Sequence, residues 1–234
     1  MRRRPVISTI FFDAGGTLVY LDYAFVAREL KRVGIKTSVK AIQHAEYAAK
    51  AEIDERMLRA VADTDESRRR PYFAALLEQL GVEEKTAAWV LERLEAAHRK
   101  DNLWRVMLPS TPNILEELRK RGFTLGVISN ADGRIAAILR KCGILPFFDS
   151  VIDSHEVRVE KPDPRIFLMA LSQASARPEE AVYVGDIYSI DVVGANRAGM
   201  RAFLLDSLDA YDSVRCEKIR HLGELLSVFD FPFV

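Results

Sequence analysis

Apolar residues recur along this chain in two distinct patterns. Residues 6–12 form a short β-branched and aromatic run, which is typical of a buried strand, and two glycines break the run just after Asp13. From about residue 22 to residue 105 the chain is rich in Ala, Leu, Glu and Arg, and its apolar positions follow helical spacing. This stretch predicts an insert of roughly four helices. The predicted breaks lie near Gly34, Asp63–Asp65 and Gly81.

Beyond Pro109 the pattern alternates between helix and strand. Helices are predicted over residues 113–121, 133–141, 164–172 and 191–198, and strands over residues 123–128, 151–152, 181–184 and 201–205. Such alternation builds a parallel sheet with right-handed crossovers and helices on both faces. We therefore expect an α/β protein with a Rossmann-like core formed by residues 1–20 and 106–234. The all-helical insert, residues 21–105, should form a cap domain.

Composition narrows the class of protein without identifying it. The chain has 234 residues, and 34 Lys and Arg residues balance 34 Asp and Glu residues, which gives no charge bias towards nucleic acid or a membrane surface. No apolar run is long enough to span a bilayer. Cys142 and Cys216 form no metal-binding or redox pattern and are interpreted as buried structural thiols. We expect a cytoplasmic protein, a monomer or homodimer, that acts on a small molecule.

Polar residues follow the predicted strands at the points where each strand ends. Ligands of open parallel sheets bind beyond the carboxyl ends of the strands. These ends carry Asp13, Ser129-Asn130, Lys161 in the loop after the third strand, and Gly185-Asp186. A carboxylate, a hydroxyl, an ammonium and a second carboxylate should therefore meet at one edge, as a metal and phosphate site requires.

Four segments, in this order, resemble the four motifs of the haloacid dehalogenase superfamily. They are Phe-Phe-Asp13-Ala14-Gly15-Gly16-Thr17-Leu18, then Val127-Ile128-Ser129-Asn130, then Lys161-Pro162, and finally Gly185-Asp186 with Asp191 five residues on. The ordered set is specific, whereas each motif alone is weak. The resemblance covers the whole chain and implies a Mg²⁺-dependent hydrolase with a small, phosphorylated substrate.

The chemistry expected of each motif can be stated residue by residue. Asp13 would attack phosphorus and form an aspartyl-phosphate. Gly15 and Gly16 would allow backbone N–H groups to approach the phosphate. Ser129 would donate to the substrate; its local sequence alone favours a helix cap, and the ordered set of motifs favours the substrate role. Lys161 would neutralise Asp13 and the phosphoryl oxygens.

Two further expectations concern Asn130 and the metal. Asn130 is assigned either to substrate binding or to holding its loop. The resemblance places Mg²⁺ between Asp13, the backbone carbonyl of Gly15, and Asp186. Asp191 would support the ion from nearby or through water, or would merely cap the next helix.

Gly15 departs from the pattern of the family's phosphatases. At this position they carry a second Asp, which protonates the leaving group and then activates water. Glycine transfers no proton, and general acid–base catalysis typically contributes about 10²–10⁴-fold in rate. Ordinary alkyl phosphates should therefore be poor substrates.

The departure leaves three alternatives open. A metal-independent 2-haloacid dehalogenase needs no acid and would use a cap arginine, for which Arg28 is a candidate. The phosphonate-cleaving branch would need a cap lysine, such as Lys31, Lys36 or Lys50. A catalytically weak binding or regulatory protein would keep the fold and lose efficient turnover. The metal-binding Gly185-Asp186 favours phosphoryl chemistry.

Overall fold

The computed structural model of the protein describes residues 6–59, 65–212 and 214–229, and side chains are described outside residues 56–59 and 65–69. Contacts within the chain divide it into two compact units. The sheet unit comprises Met1–Val19 and Val106–Val234, and the helical unit comprises Tyr20–Arg105.

Among the described residues, a parallel sheet of six strands forms the centre of the sheet unit. In chain order the strands are β1 (Thr9–Phe12), β4 (Thr124–Ser129), β5 (Ser150–Asp153), β6 (Ala181–Gly185), β7 (Arg201–Leu205) and β8 (Glu217–Ile219). Their spatial order is β5-β4-β1-β6-β7-β8. The α/β class and the Rossmann-like sheet predicted from the sequence are confirmed.

The central position of β1 follows from its composition. All four of its residues are buried, as expected of a parallel strand that is covered on both faces. On β4, Gly126 makes room for the neighbouring strand, because a Cβ at this position would lie 2.6 Å from the ring of Phe11. The sheet therefore packs tightly at the strand that carries Asp13.

Short helices follow the strands of the sheet unit. They are α5 (Thr111–Lys120), α6 (Ile135–Lys141), α7 (Ser154–Val157), α8 (Pro164–Gln173), α9 (Val193–Arg197) and α10 (Leu225–Val228). The helix predicted from residue 191 begins differently, since a π-helical turn, Tyr188–Val192, precedes α9. The short strand β8, in which two of the three residues are exposed, has no counterpart among the strands predicted from the sequence. Both cysteines are half-buried rather than buried.

In the described part of the helical unit, four long helices surround an apolar core of their own. They are α1 (Tyr23–Arg32), α2 (Val39–Arg59), α3 (Asp65–Gln79) and α4 (Glu84–Lys100). Gly34 and Gly81 follow α1 and α3 with positive φ, which explains why these glycines mark breaks. Of the third predicted break, Asp65 begins α3, and Asp63 lies outside the described residues. A two-stranded sheet, β2 (Tyr20–Leu21) with β3 (Trp104–Val106), pairs the two ends of the insert, so the prediction that residues 21–105 are all helical was wrong at these short strands. Among the described residues, no helix combines the length and apolarity that a membrane span requires.

Candidate active site

The topology brings three of the predicted residues to one edge of the sheet. β4 and β6 flank β1, and all three strands run parallel, so their carboxyl ends lie side by side. Asp13 follows β1, Ser129 is the last residue of β4, and Asp186 follows β6. The N–H of Asp13 donates to the carbonyl of Val184 at 2.8 Å, which ties the start of the loop to β6. All three side chains are buried.

Lys161 joins this edge through its ammonium group. Its Nζ lies 2.5 Å from Asp13 Oδ1 and 2.7 Å from Asp191 Oδ1, and it donates to the hydroxyl of Tyr183 at 2.8 Å. An ammonium has three N–H groups and no acceptor, so these contacts use all of its donors. Only 2% of the lysine is exposed. Lys161 is therefore a fixed, buried charge beside Asp13.

Asn130 and Asp163 hold the backbone around Lys161. The Asn130 side chain donates to the Lys161 carbonyl at 2.9 Å and accepts from the Lys161 N–H at 2.8 Å. Two residues on, Asp163 caps α8 by accepting from the N–H of Arg165 at 2.9 Å. The side-chain amide of Asn130 thus uses one N–H and its oxygen to bond the loop. This supports the interpretation that Asn130 holds the loop over the one in which it binds substrate.

Asp191 is held by the protein through both of its carboxylate oxygens. Oδ1 accepts from Lys161, and Oδ2 accepts from the N–H groups of Asp186 and Ile187 at 3.0 and 2.9 Å. Gly185 permits this approach, because a Cβ there would lie 2.3 Å from Asp191 Cγ. Asp191 does not cap α9, whose N-cap residue is Val192. Its contacts support a role in shaping the loop after β6 and orienting Lys161.

The glycine loop after Asp13 is a tight turn. The carbonyl of Ala14 accepts from the N–H groups of Leu18 and Val19, each at 2.9 Å. Gly16 has φ of +86°, and a Cβ at this position would lie 2.1 Å from Asp186 Oδ2. Position 16 therefore requires glycine for its backbone conformation and for the approach of Asp186. Gly15 is not among the glycines with positive φ.

Burial and charge shift the acid–base properties of the cluster. Burial raises the pKa of Asp13 to about 8; Lys161 opposes this rise, and the carboxylates of Asp191 and Asp186 add to it. Burial by itself would lower the pKa of Lys161, but Asp13 and Asp191 outweigh it and raise that pKa. Burial and the surrounding carboxylates also raise the pKa of the Tyr183 hydroxyl, which stays protonated.

The charges and oxygen donors of the cluster indicate whether the site suits Mg²⁺. Within the part of the chain that the structure describes, no group of three or more His, Cys, Asp or Glu side chains is arranged to hold an ion by itself. Mg²⁺, however, commonly uses only one or two carboxylates and completes its shell with water and substrate oxygens. The buried carboxylates of Asp13 and Asp191 lie against the ammonium of Lys161, and the buried carboxylate of Asp186 is near enough to act electrostatically on Asp13. This excess of negative charge on oxygen donors fits a divalent cation.

Two features of the site differ from what local sequence patterns suggested. Ser129 is not the N-cap of the following helix, since Arg134 occupies that position. Tyr183 is not among the site residues predicted from the sequence, because it lies inside an apolar strand and its position is typical of a core residue. A polar hydroxyl in the middle of a buried strand was the one available signal, since such a group needs hydrogen-bond partners.

Of the cap residues considered from the sequence, Arg28 and Lys50 contact aromatic rings, and both lie within the helical unit together with a buried carboxylate, Glu46. Glu46 is buried and accepts hydrogen bonds from the hydroxyls of Tyr23, at 3.1 Å, and Tyr72. Lys50 is buried with its Nζ 4.1 Å from the ring centroid of Tyr47. Arg28 lies over the ring of Phe25, with 5.4 Å between its Cζ and the ring centroid.

A parallel sheet with a buried aspartate, a lysine and further carboxylates at its carboxyl edge is the arrangement expected from the four motifs. Residues 7–199 match the family model described as haloacid dehalogenase-like hydrolase. The chain belongs to this family and is a hydrolase. The family predicted from the four motifs is thereby confirmed.

Relatives and solved structures agree with this assignment. The chain is 33% identical over 205 residues to the glyceraldehyde 3-phosphate phosphatase of Methanothermobacter thermautotrophicus, covering 86% of this chain and 87% of that protein. A HAD phosphatase structure from Thermococcus onnurineus superposes with a TM-score of 0.61 at 24% identity, over 96% of this chain and 98% of the other, and so shows the shared fold. The 2-haloacid dehalogenase structure from Pseudomonas syringae has a TM-score of 0.57 at 26% identity, over 95% of this chain and 98% of the other.

Proposed function

We propose that the protein is a Mg²⁺-dependent phosphatase that hydrolyses a small phosphorylated metabolite through an aspartyl-phosphate on Asp13. The observation that carries the proposal is the buried contact of 2.5 Å between Asp13 Oδ1 and Lys161 Nζ at the carboxyl edge of the sheet. The 33% identity to a glyceraldehyde 3-phosphate phosphatase over most of both chains supports phosphate chemistry.

Asp13 is suited to act as a nucleophile because Lys161 fixes its position. One carboxylate oxygen is held by Lys161, which leaves the other to attack phosphorus. A bond forms between this oxygen and phosphorus while the bond from phosphorus to the ester oxygen breaks. Water then hydrolyses the aspartyl-phosphate, which releases phosphate and restores the carboxylate. Lys161 counters the negative charge on the reacting oxygens throughout, and Ser129 would donate to the phosphoryl group.

The residues that would hold Mg²⁺ are Asp13, the backbone carbonyl of Gly15, and Asp186. When bound, the ion would neutralise charge on the phosphoryl oxygens. Asp191 would support these residues without binding the ion directly, because its two oxygens accept hydrogen bonds from Lys161 and from the backbone after β6. Gly16 supports the site by leaving room for the Asp186 carboxylate.

Gly15 limits which phosphate esters the enzyme would cleave well. The leaving oxygen departs as an anion and gains its proton from water, because position 15 carries no acid. We infer that esters with stabilised leaving groups turn over faster than simple alkyl phosphates. The helical unit would act as the cap that selects the substrate and excludes water from it. We place the reaction in the cytoplasm and assign no nucleic-acid or membrane partner.

A screen of phosphate esters with and without Mg²⁺ tests the proposed function. The panel contains 4-nitrophenyl phosphate, whose leaving group needs no protonation, and glyceraldehyde 3-phosphate, on which the relative acts by its name. We expect turnover that EDTA abolishes and that Asp13→Asn reduces to the background rate. Equal rates for the wild type and Asp13→Asn would refute an aspartyl-phosphate mechanism.

A second candidate is 2-haloacid dehalogenation, which the glycine at position 15 and the resemblance to a solved 2-haloacid dehalogenase favour. Halide leaves without a proton, so this reaction needs no acid at position 15. Release of chloride from 2-chloropropionate in the presence of EDTA would establish it. The buried Asp186 beside the glycine loop weighs against it, because such dehalogenases lack this metal-binding residue.

A further inference from the structure

Tyr183 lies at the centre of the hydrogen-bonded network around Lys161, although it belongs to an apolar strand. It belongs to β6 and is fully buried. Its hydroxyl oxygen lies 2.8 Å from Lys161 Nζ, 3.0 Å from the Ile128 carbonyl oxygen, and 3.2 Å from Asp191 Oδ1. Because β1 separates β6 from β4, the tyrosine side chain spans the central strand to reach Ile128.

The direction of these hydrogen bonds follows from the groups involved. The lysine ammonium can only donate, so the tyrosine oxygen accepts from it. The single O–H of the tyrosine is then given to the Ile128 carbonyl or to Asp191, both of which only accept. In either case a lone pair of the tyrosine oxygen faces Lys161. The other two N–H groups of the ammonium go to Asp13 and Asp191.

The ring of Tyr183 is itself held in place. Phe167 of α8 packs against it edge-on, with ring centroids 5.1 Å apart at an angle of 78°. Phenylalanine would fill this space equally well, and burying a hydroxyl costs free energy unless the group is hydrogen-bonded. The hydroxyl therefore has a use that packing does not explain, and its described partners are the site lysine, a site carboxylate and one strand carbonyl.

We propose that Tyr183 is a positioning residue that fixes the direction of the Lys161 ammonium towards Asp13. This inference rests on the proposed function, in which Lys161 serves the nucleophile. Without the hydroxyl, the third N–H of a buried ammonium loses its acceptor. The lysine then reorients within the network, and its N–H to Asp13 no longer points in one direction.

The first test is Tyr183→Phe assayed with 4-nitrophenyl phosphate and Mg²⁺. Loss of a residue that orients a metal ligand typically costs about 10–100-fold in affinity or activity, and we take the same scale for a residue that orients Lys161. We expect kcat to fall by about this factor while KM changes by less than about twofold, because the substrate gains and loses no contact. Tyr211→Phe is the matched control, since Tyr211 is a buried tyrosine of the same unit whose N–H bonds Asp206. It should keep the wild-type kcat.

Two results of this assay would overturn the proposal. An unchanged kcat in Tyr183→Phe would mean that the hydroxyl does not serve Lys161. A rise in KM alone would assign Tyr183 to substrate binding instead. Phe167→Leu provides a second variant that retains the hydroxyl but loosens the ring, and it should lower kcat by a smaller factor.

A second measurement does not depend on catalysis. Thermal unfolding of Tyr183→Phe, Lys161→Met and the double variant forms a double-mutant cycle. If the Tyr183 hydroxyl and the Lys161 ammonium stabilise each other, the decrease in Tm of the double variant is smaller than the sum of the decreases of the two single variants. Additive losses overturn the proposal. If the wild type shows no turnover that depends on Asp13, the proposed function fails, and this cycle still decides whether Tyr183 holds Lys161.

Discussion

Gly15 and Gly16 are neighbours in one turn but are glycine for different reasons. Gly16 needs positive φ and the absence of a Cβ, because Asp186 Oδ2 occupies the space where a Cβ would lie. Gly15 has no positive φ, so its backbone conformation is open to other residues. The absence of a carboxylate at position 15 is therefore a chemical property of this site that the turn does not require.

This difference leads to a prediction for Gly15→Asp. The variant should fold and should raise kcat for an alkyl phosphate by tenfold or more, on the scale of a restored general acid of about 10²–10⁴-fold. For 4-nitrophenyl phosphate the gain should be much smaller, because that leaving group needs no proton. Steady-state kinetics on both substrates measures the ratio. Equal gains on both would show that the new carboxylate acts in some way other than by protonating the leaving group.

At the scale of secondary-structure elements, the loop between α7 and α8 is held in place on both sides of Lys161. The Asn130 side chain bonds the backbone N–H and carbonyl of Lys161, and Asp163 caps the start of α8. We predict that Asn130→Ala lowers kcat by about 10–100-fold with little change in KM, as expected for a residue that orients another. If Asn130 instead bound the substrate, KM would rise and kcat would stay near that of the wild type. Initial rates over a range of substrate concentrations separate the two.

In the helical unit, Glu46 of α2 joins α1 and α3 through two tyrosines. Hydrogen bonds to charged groups contribute about 1.5–3 kcal/mol, and burial of the carboxylate keeps water from replacing them. We predict that Tyr72→Phe lowers the free energy of unfolding of the helical unit by about this amount. Chemical denaturation followed by Trp fluorescence measures it, because Trp104 lies 5.4 Å from Tyr72 between ring centroids. In a Glu46→Ala background the same substitution should cost clearly less.

At the scale of the whole molecule, the buried carboxylates link stability to pH and to Mg²⁺. The pKa of Asp13 is raised from 3.8 to about 8, so over this range the folded, metal-free protein binds more protons than the unfolded chain. The contribution of Asp13 to stability is therefore fully present below pH 3.8 and is lost as pH rises through about 8. Mg²⁺ binds the deprotonated carboxylate, so its affinity should change in the opposite direction.

We predict that the increase in Tm produced by saturating Mg²⁺ is larger at pH 8 than at pH 6. Differential scanning fluorimetry with EDTA or with excess Mg²⁺ at each pH measures this increase. In Asp13→Asn the group that titrates is absent, so the increase should be smaller and nearly independent of pH. The same pH dependence in the variant and in the wild type would assign the linkage to other groups.

The sequence by itself determined the α/β class, the family, and the order in which polar residues follow the strands. These follow from patterns that are local in the chain: strand and helix periodicity, glycines after helices, and short motifs such as Gly185-Asp186. It missed β8, whose three residues are mostly exposed, and the π-helical turn, because neither has a local apolar pattern.

Tertiary structure decided how the polar groups are shared at the site. The contact of Lys161 with Asp13 joins residues 148 positions apart, and that of Tyr183 with the Ile128 carbonyl joins residues 55 positions apart. Such contacts depend on the strand order β4-β1-β6, which no local pattern encodes. For the same reason, only the fold showed that both oxygens of Asp191 are engaged by the protein and that Asn130 holds a loop. A sequence identifies which groups follow each strand. Packing decides which of these groups come into contact and which hydrogen bonds they form with one another.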